Sequence, residues 1–169
     1  MPVTRVVVTL LAAALLPAGG SYRTFSGLGV TFSYSRAWNV RIVDQQQLHW
    51  HGLVDLSTDP LGDRCEKSDT GLRCGWPIAE LAPGGVLVMV EEVHGPGPSK
   101  RVAAKPGTRI GLTRQRPGPC AEIHAGLTVA ASFVGLRGDT VRVVACIREP
   151  GLERGKRQVA HVLRSLRVP

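Results

Sequence analysis

The chain is 169 residues long, with 43% hydrophobic and 20% charged side chains and a formal net charge of +8. That suffices for one well-filled core, and the glycines and prolines are spread along the chain rather than gathered in one tract, so a fibrous or disordered protein is excluded. The basic excess falls in residues 100–169, which hold fourteen Lys or Arg against four acids, but these are scattered singly and only Phe133 among them could stack a base; specific nucleic-acid binding is therefore not expected.

In chain order, Arg5 precedes an apolar run from Val6 to Leu16 broken only by Thr9, and small residues follow at Ala18 and Gly20. This is the pattern of a Sec-type signal peptide, residues 1–20, with a cut after Gly20 and a competing one at Ala18. The run falls short of the roughly 20 apolar residues of a membrane span, and the first cysteine is Cys65, too late to carry a lipid anchor. Residues 21–169 read as one secreted domain with no transmembrane segment, expected to be a monomer.

Strand patterns dominate that domain. Val30, Phe32 and Tyr34 alternate in 29–35, and 38–43 follows after a short turn. Residues 48–57 form the next candidate, with Gly52 marking a bulge. The nearly continuous apolar run 85–93 reads as a central strand, and 108–115, 121–136 and 139–148 complete the set, the last two joined by a hairpin turn at 136–139. After Pro150 and Gly151, Val159, Val162, Leu163 and Leu166 recur at helical spacing, with Val159, Leu163 and Leu166 expected on the sheet. The fold class is α+β: a curved antiparallel β-sheet with a C-terminal helix packed on one face.

Cys65, Cys74, Cys120 and Cys146 are an even set in an exported chain, which favours disulfides. Three connectivities exist. Cys65 and Cys74 flank a turn centred on Asp69-Thr70-Gly71 and would close a local loop; Cys120 with Cys146 would then tie two parts of the sheet. Neither spacing is the close C-x-x-C pair of a structural zinc site. The segment between Asp59 and Pro77 gathers Asp59, Asp63 and Asp69 and ends at Trp76, which makes a stapled loop a candidate recognition surface, against the simpler reading that Trp76 packs back on the sheet.

Chemistry-bearing motifs are few. G-x-S-x-G, H-E-x-x-H, G-x-x-x-x-G-K and G-x-G-x-x-G ahead of a helix do not occur. The stretch HWH places His49 and His51 two apart, so on a strand they share one face and Trp50 takes the other. Two imidazoles supply two ligands, and a third could come from Glu92 or His94 if their strand lies alongside. The simpler reading makes Trp50 core and leaves both histidines on the solvent face, so no metal and no cofactor are expected.

The stretch GVTFSYSRAWNV resembles the opening of PsbP/Mog1-type domains, RQVAHVLRSLRV resembles their closing helix, and the middle, from LSTDPLGDRC to CGWPIAELAPGGVLV, is similar to small secreted actinobacterial proteins. Ser35 stands where proline is usual. The resemblance implies an α/β/α sandwich acting as a non-enzymatic binding or accessory module, and it carries over no catalytic residue. The expected partner is a protein or an anionic component of the cell envelope; the alternative is a small extracellular metal-dependent or triad hydrolase.

Overall fold

Alternation of buried and half-buried side chains along 30–35 sets the first structural unit. The computed structural model describes residues 21–69, 71–94, 105–116, 118–135 and 138–168; the expected leader 1–20 and positions 136–137 of the expected hairpin turn lie outside them. Strands β1 (Tyr22–Gly27) and β2 (Val30–Ser35) form an antiparallel hairpin across Leu28 and Gly29. Both turn residues have positive φ, 50° and 74°, the type I′ geometry that matches strand twist. β1 has no signature in the sequence, because its side chains are almost all exposed and carry no apolar alternation.

The other long strands are β3 (Asn39–Gln46), β4 (Trp50–Ser57), β7 (Val86–Val93), β8 (Arg109–Gln115), β9 (Leu127–Val134) and β10 (Thr140–Ile147). They form one six-stranded sheet in the order β3-β4-β7-β10-β9-β8, antiparallel at every pairing. β7 and β10 are central and mostly apolar, as strands covered on both sides are, with Glu91 and Arg142 the charged pair between them on the second face. The expected bulge at Gly52 is present as a register shift between Gly52 and Val54, which turns Leu53 and Val54 toward the same core cluster.

The first face carries Val54, Leu56, Val86, Val88, Val90, Val143, Ala145 and Ile147. Helix α1 (Leu152–Ser165) and the β1–β2 hairpin cover it side by side. Thr31 and Arg167 exchange backbone hydrogen bonds of 2.9 and 2.7 Å, and the Ser33 amide donates to Ser165 Oγ at 2.9 Å, so hairpin and helix end are locked together. The helix buries Gly155, Val159 and Val162 in its body and Leu166 at its end. Val162 thus lies deeper than Leu163, the residue expected on the sheet; Leu163 is half-buried beside the groove described below.

On the second face lie the segment 58–85, with its small hairpin β5 (Cys65–Ser68) and β6 (Gly71–Cys74), and a 3-10 helix, Pro119–Ile123. Among the described residues no α-helix covers this face. The 3-10 helix replaces the strand expected at 121–125: Pro119 opens the turn, and His124 closes it at φ 62°. Both disulfides form, Cys65–Cys74 across the small hairpin and Cys120–Cys146 from the 3-10 helix to β10. The second bridge therefore joins a helix to the sheet rather than two parts of the sheet. No helix among the described residues is long and apolar enough to cross a membrane.

Candidate functional site

Two hollows lie on the first face, on opposite sides of the layer formed by α1 and the β1–β2 hairpin. The larger, about 620 Å³, runs between α1 and the edge strand β8. A register shift between Arg109 and Gly111 lets Arg109, Leu112 and Arg114 share the first face, opposite Phe133, Ala131 and Val129. From the helix side, Lys156, Ala160, Leu163 and Arg164, an i, i+4, i+7, i+8 stripe, and Arg167, past the end of the helix, complete the walls. The floor is apolar and the rim cationic.

The arginine charge of that rim is uncompensated among the described residues. Among the described residues no acid lines the groove. Among the described residues no carboxylate pairs with Arg109, Arg114, Arg164 or Arg167, while Lys156 is held by Glu153 at 2.6 Å. Leu112 remains 40% exposed on β8, an edge strand of the sheet whose outer side no described strand pairs. Guanidinium groups clustered around an apolar floor favour a ligand with an anionic head and an apolar body.

The smaller hollow, about 340 Å³, contains one residue of the HWH stretch. β4 begins at Trp50, so His49 lies in the preceding turn, exposed, and its carbonyl accepts from the His94 amide at 2.9 Å. His51 faces the first side directly opposite Glu92, and His94 follows two residues after Glu92 on the same face. The expectation that His49 and His51 share a strand face is corrected: the turn takes His49 away, and the strand pairing supplies Glu92 and His94 instead. Donor atoms of His51, Glu92 and His94 all lie within 4.8 Å of one another. Trp50 does point to the opposite side, but it is half-buried against Arg64, whose guanidinium carbon lies 5.1 Å from the indole centroid, rather than in the main core.

The stapled loop closes the second face. Arg64 enters under it and is almost wholly buried, with Nη2 3.5 Å from Glu91 Oε2 and Nη1 3.9 Å from Asp55 Oδ1. Arg142 completes the network with Nε and Nη2 at 2.7 and 2.6 Å from Glu91 Oε1. Asp55 has no exposed surface, and among the described residues neither of its carboxyl oxygens accepts a hydrogen bond. Loss of hydration pushes its pKa up to about 6, with Arg64 opposing the rise and Glu91 adding to it. Of the candidate recognition residues, Asp59 Oδ2 accepts from the Ala82 amide at 2.8 Å, Asp63 pairs with Arg41, and the Trp76 indole donates to Glu122 at 2.8 Å; Asp69 sits exposed at the hairpin turn. Trp76 packs on the second cluster, Ile78, Leu81, Leu87, Met89, Cys120, Ile123, Ala125 and Cys146.

Compared with known proteins, the chain matches no family model, no curated protein and no solved structure.

Proposed function

We propose that this chain is a secreted, non-enzymatic binding or accessory domain of PsbP/Mog1 type that holds an anionic amphiphile of the cell envelope in the groove between α1 and β8. The observation that carries this reading is the combination of Arg109, Arg114, Arg164 and Arg167, unpaired with acids among the described residues, around the apolar floor of Leu112, Val129, Phe133 and Leu163. An acidic polymer alone would engage the rim and leave the floor wet, whereas an acyl-type body would remove it from water at roughly 25 cal/mol per Å². Two disulfides suit an oxidising compartment. The antiparallel sheet with one terminal helix is an α+β arrangement; of the α/β/α sandwich that the resemblance implies, only the first helical layer is present among the described residues, and a stapled hairpin lies on the second face.

The Asp59–Pro77 segment fits a lid over the second core better than a recognition loop, since Asp59, Asp63 and Trp76 make internal contacts. The groove reading is tested by flotation with vesicles. The chain should float with vesicles containing anionic lipid and stay behind with purely zwitterionic ones. Arg109→Glu with Arg114→Glu should abolish flotation. Equal flotation of that double variant, or binding to a soluble acidic polymer but to no vesicle, would overturn the amphiphile assignment.

A further inference from the structure

The hollow at the other side of the first face has a different chemistry. Strand pairing sets His51 opposite Glu92, and the His94 amide, one residue past the end of β7, donates to the His49 carbonyl at 2.9 Å, so two donor side chains from paired strands converge with a third held at the strand end. Bulges flank the pair. One in β3 puts Asp44 in the left-handed region at φ 40°, and its carboxylate meets His51 Nε2 at 2.9 Å.

A carboxylate only accepts, so the proton of the neutral His51 ring belongs on Nε2 and the lone pair on Nδ1, which faces Glu92 Oε2 at 4.0 Å, too far for a hydrogen bond. His94 has a similar arrangement through its other nitrogen. Asp139 lies 3.6 Å from Nδ1, in ion-pair range, which favours the proton there. Nε2 is then the lone-pair nitrogen; it is buried and, among the described residues, has no hydrogen-bond partner. Each imidazole thus has a carboxylate at its back and a bare nitrogen in front, the arrangement by which outer carboxylates orient metal-ligating histidines. Leu28, Leu53, Val141 and Val168 wall the remainder of the hollow with apolar surface.

We propose that His51 Nδ1, His94 Nε2 and a Glu92 oxygen form a three-ligand site for a divalent ion of the zinc class, with the fourth position open to the hollow. Ligand atoms about 2.1 Å from a tetrahedral ion sit about 3.4 Å apart; one donor atom of each of the three residues already lies within 4.8 Å of the others, and His51 Nδ1 is 4.0 Å from Glu92 Oε2. Two imidazoles and one carboxylate suit borderline ions such as Zn(II) and not the oxygen-seeking Ca(II) or Mg(II). The site goes beyond the groove reading and is independent of it.

The test uses the untagged chain with both disulfides intact, titrated with Zn(II) against a chromophoric chelator. One equivalent should bind. His51→Ala and His94→Ala should each abolish stoichiometric binding, Asp139→Asn should weaken it about 10- to 100-fold, and His49→Ala should leave it unchanged. If an alanine variant fails to fold, Glu92→Gln, which keeps side-chain volume, decides, with at least a tenfold loss expected. No stoichiometric zinc, affinity untouched by Glu92→Gln and the folded histidine variants, or loss in His49→Ala alone would overturn the site. Vesicle flotation should be unchanged by a chelator, so failure here and failure of the groove reading are distinguishable.

Discussion

The two faces of the sheet are closed by opposite means. The first is covered by short-range patterns, a strand hairpin and an amphipathic helix, whose apolar side chains meet those of the sheet with no buried charge at the centre. The second is covered by a long irregular segment whose own apolar supply is modest, and it relies on two disulfides and on Arg64 threaded between Asp55, Glu91 and Trp50. Apolar burial stabilises at every pH, while a buried ion network holds only when each charge has its partner. The difference teaches that tolerance to change should be uneven across the sheet, and it leaves the first face free to carry both hollows.

The comparison breaks most sharply at Arg64. Arg64→Ala strands Asp55 and removes one of the two cations beside Glu91, and a loss of about 3–5 kcal/mol at pH 8 is expected from chemical denaturation. The loss should shrink at pH 5, where Asp55 can take up a proton. A cost below about 1 kcal/mol at pH 8 would show that water already screens the network.

Asp55 gives a second, smaller effect with a definite sign. Its pKa is raised in the fold, from the ordinary 3.8 to about 6, so between these values the native state holds a proton that the unfolded state has released. Its contribution therefore weakens the fold as pH rises from about 4 to about 6, by about 3 kcal/mol in full. Denaturation curves compared across that window should show this slope in the parent chain and its loss in Asp55→Asn. An identical pH profile in both would mean that Asp55 is ionised throughout.

The first face should fail by volume instead. A Cβ on Gly155 would stand 2.5 Å from Ile147 Cγ2 and 3.2 Å from Val86 Cγ2. Gly155→Ala should destabilise by about 1–3 kcal/mol through overpacking, at every pH, even though alanine is the better helix former by about 1 kcal/mol. A stabilised variant would show that α1 can lift from the sheet at little cost.

Much of this architecture is legible in the residues and some is not. Period-2 alternation identifies β2, the apolar runs identify β7 and β10, and Gly52 marks its bulge, because burial there follows directly from local sequence. β1 is exposed and has no pattern to read. The groove depends on a bulge in β8 that moves Leu112 and Arg114 onto the face of Arg109, which strict alternation cannot reveal. In the smaller hollow, Glu92 and His94 could be named as companions to His51, but strand order and register decide the meeting, and nothing local shows that His49 stays in the turn. On the second face the ion network joins Arg64 to residues from β4, β7 and β10, a set of long-range meetings without a local trace.

The central claim, that the first face receives the ligand while the second holds the fold, is tested most directly by amide NMR of the uniformly labelled chain titrated with a short-chain anionic phospholipid below its micelle concentration. The account predicts saturable shifts confined to Arg109–Gln115, Leu127–Val134 and residues 152–167, absent with the zwitterionic analogue. Shifts centred on residues 59–77, or identical responses to both lipids, would contradict it.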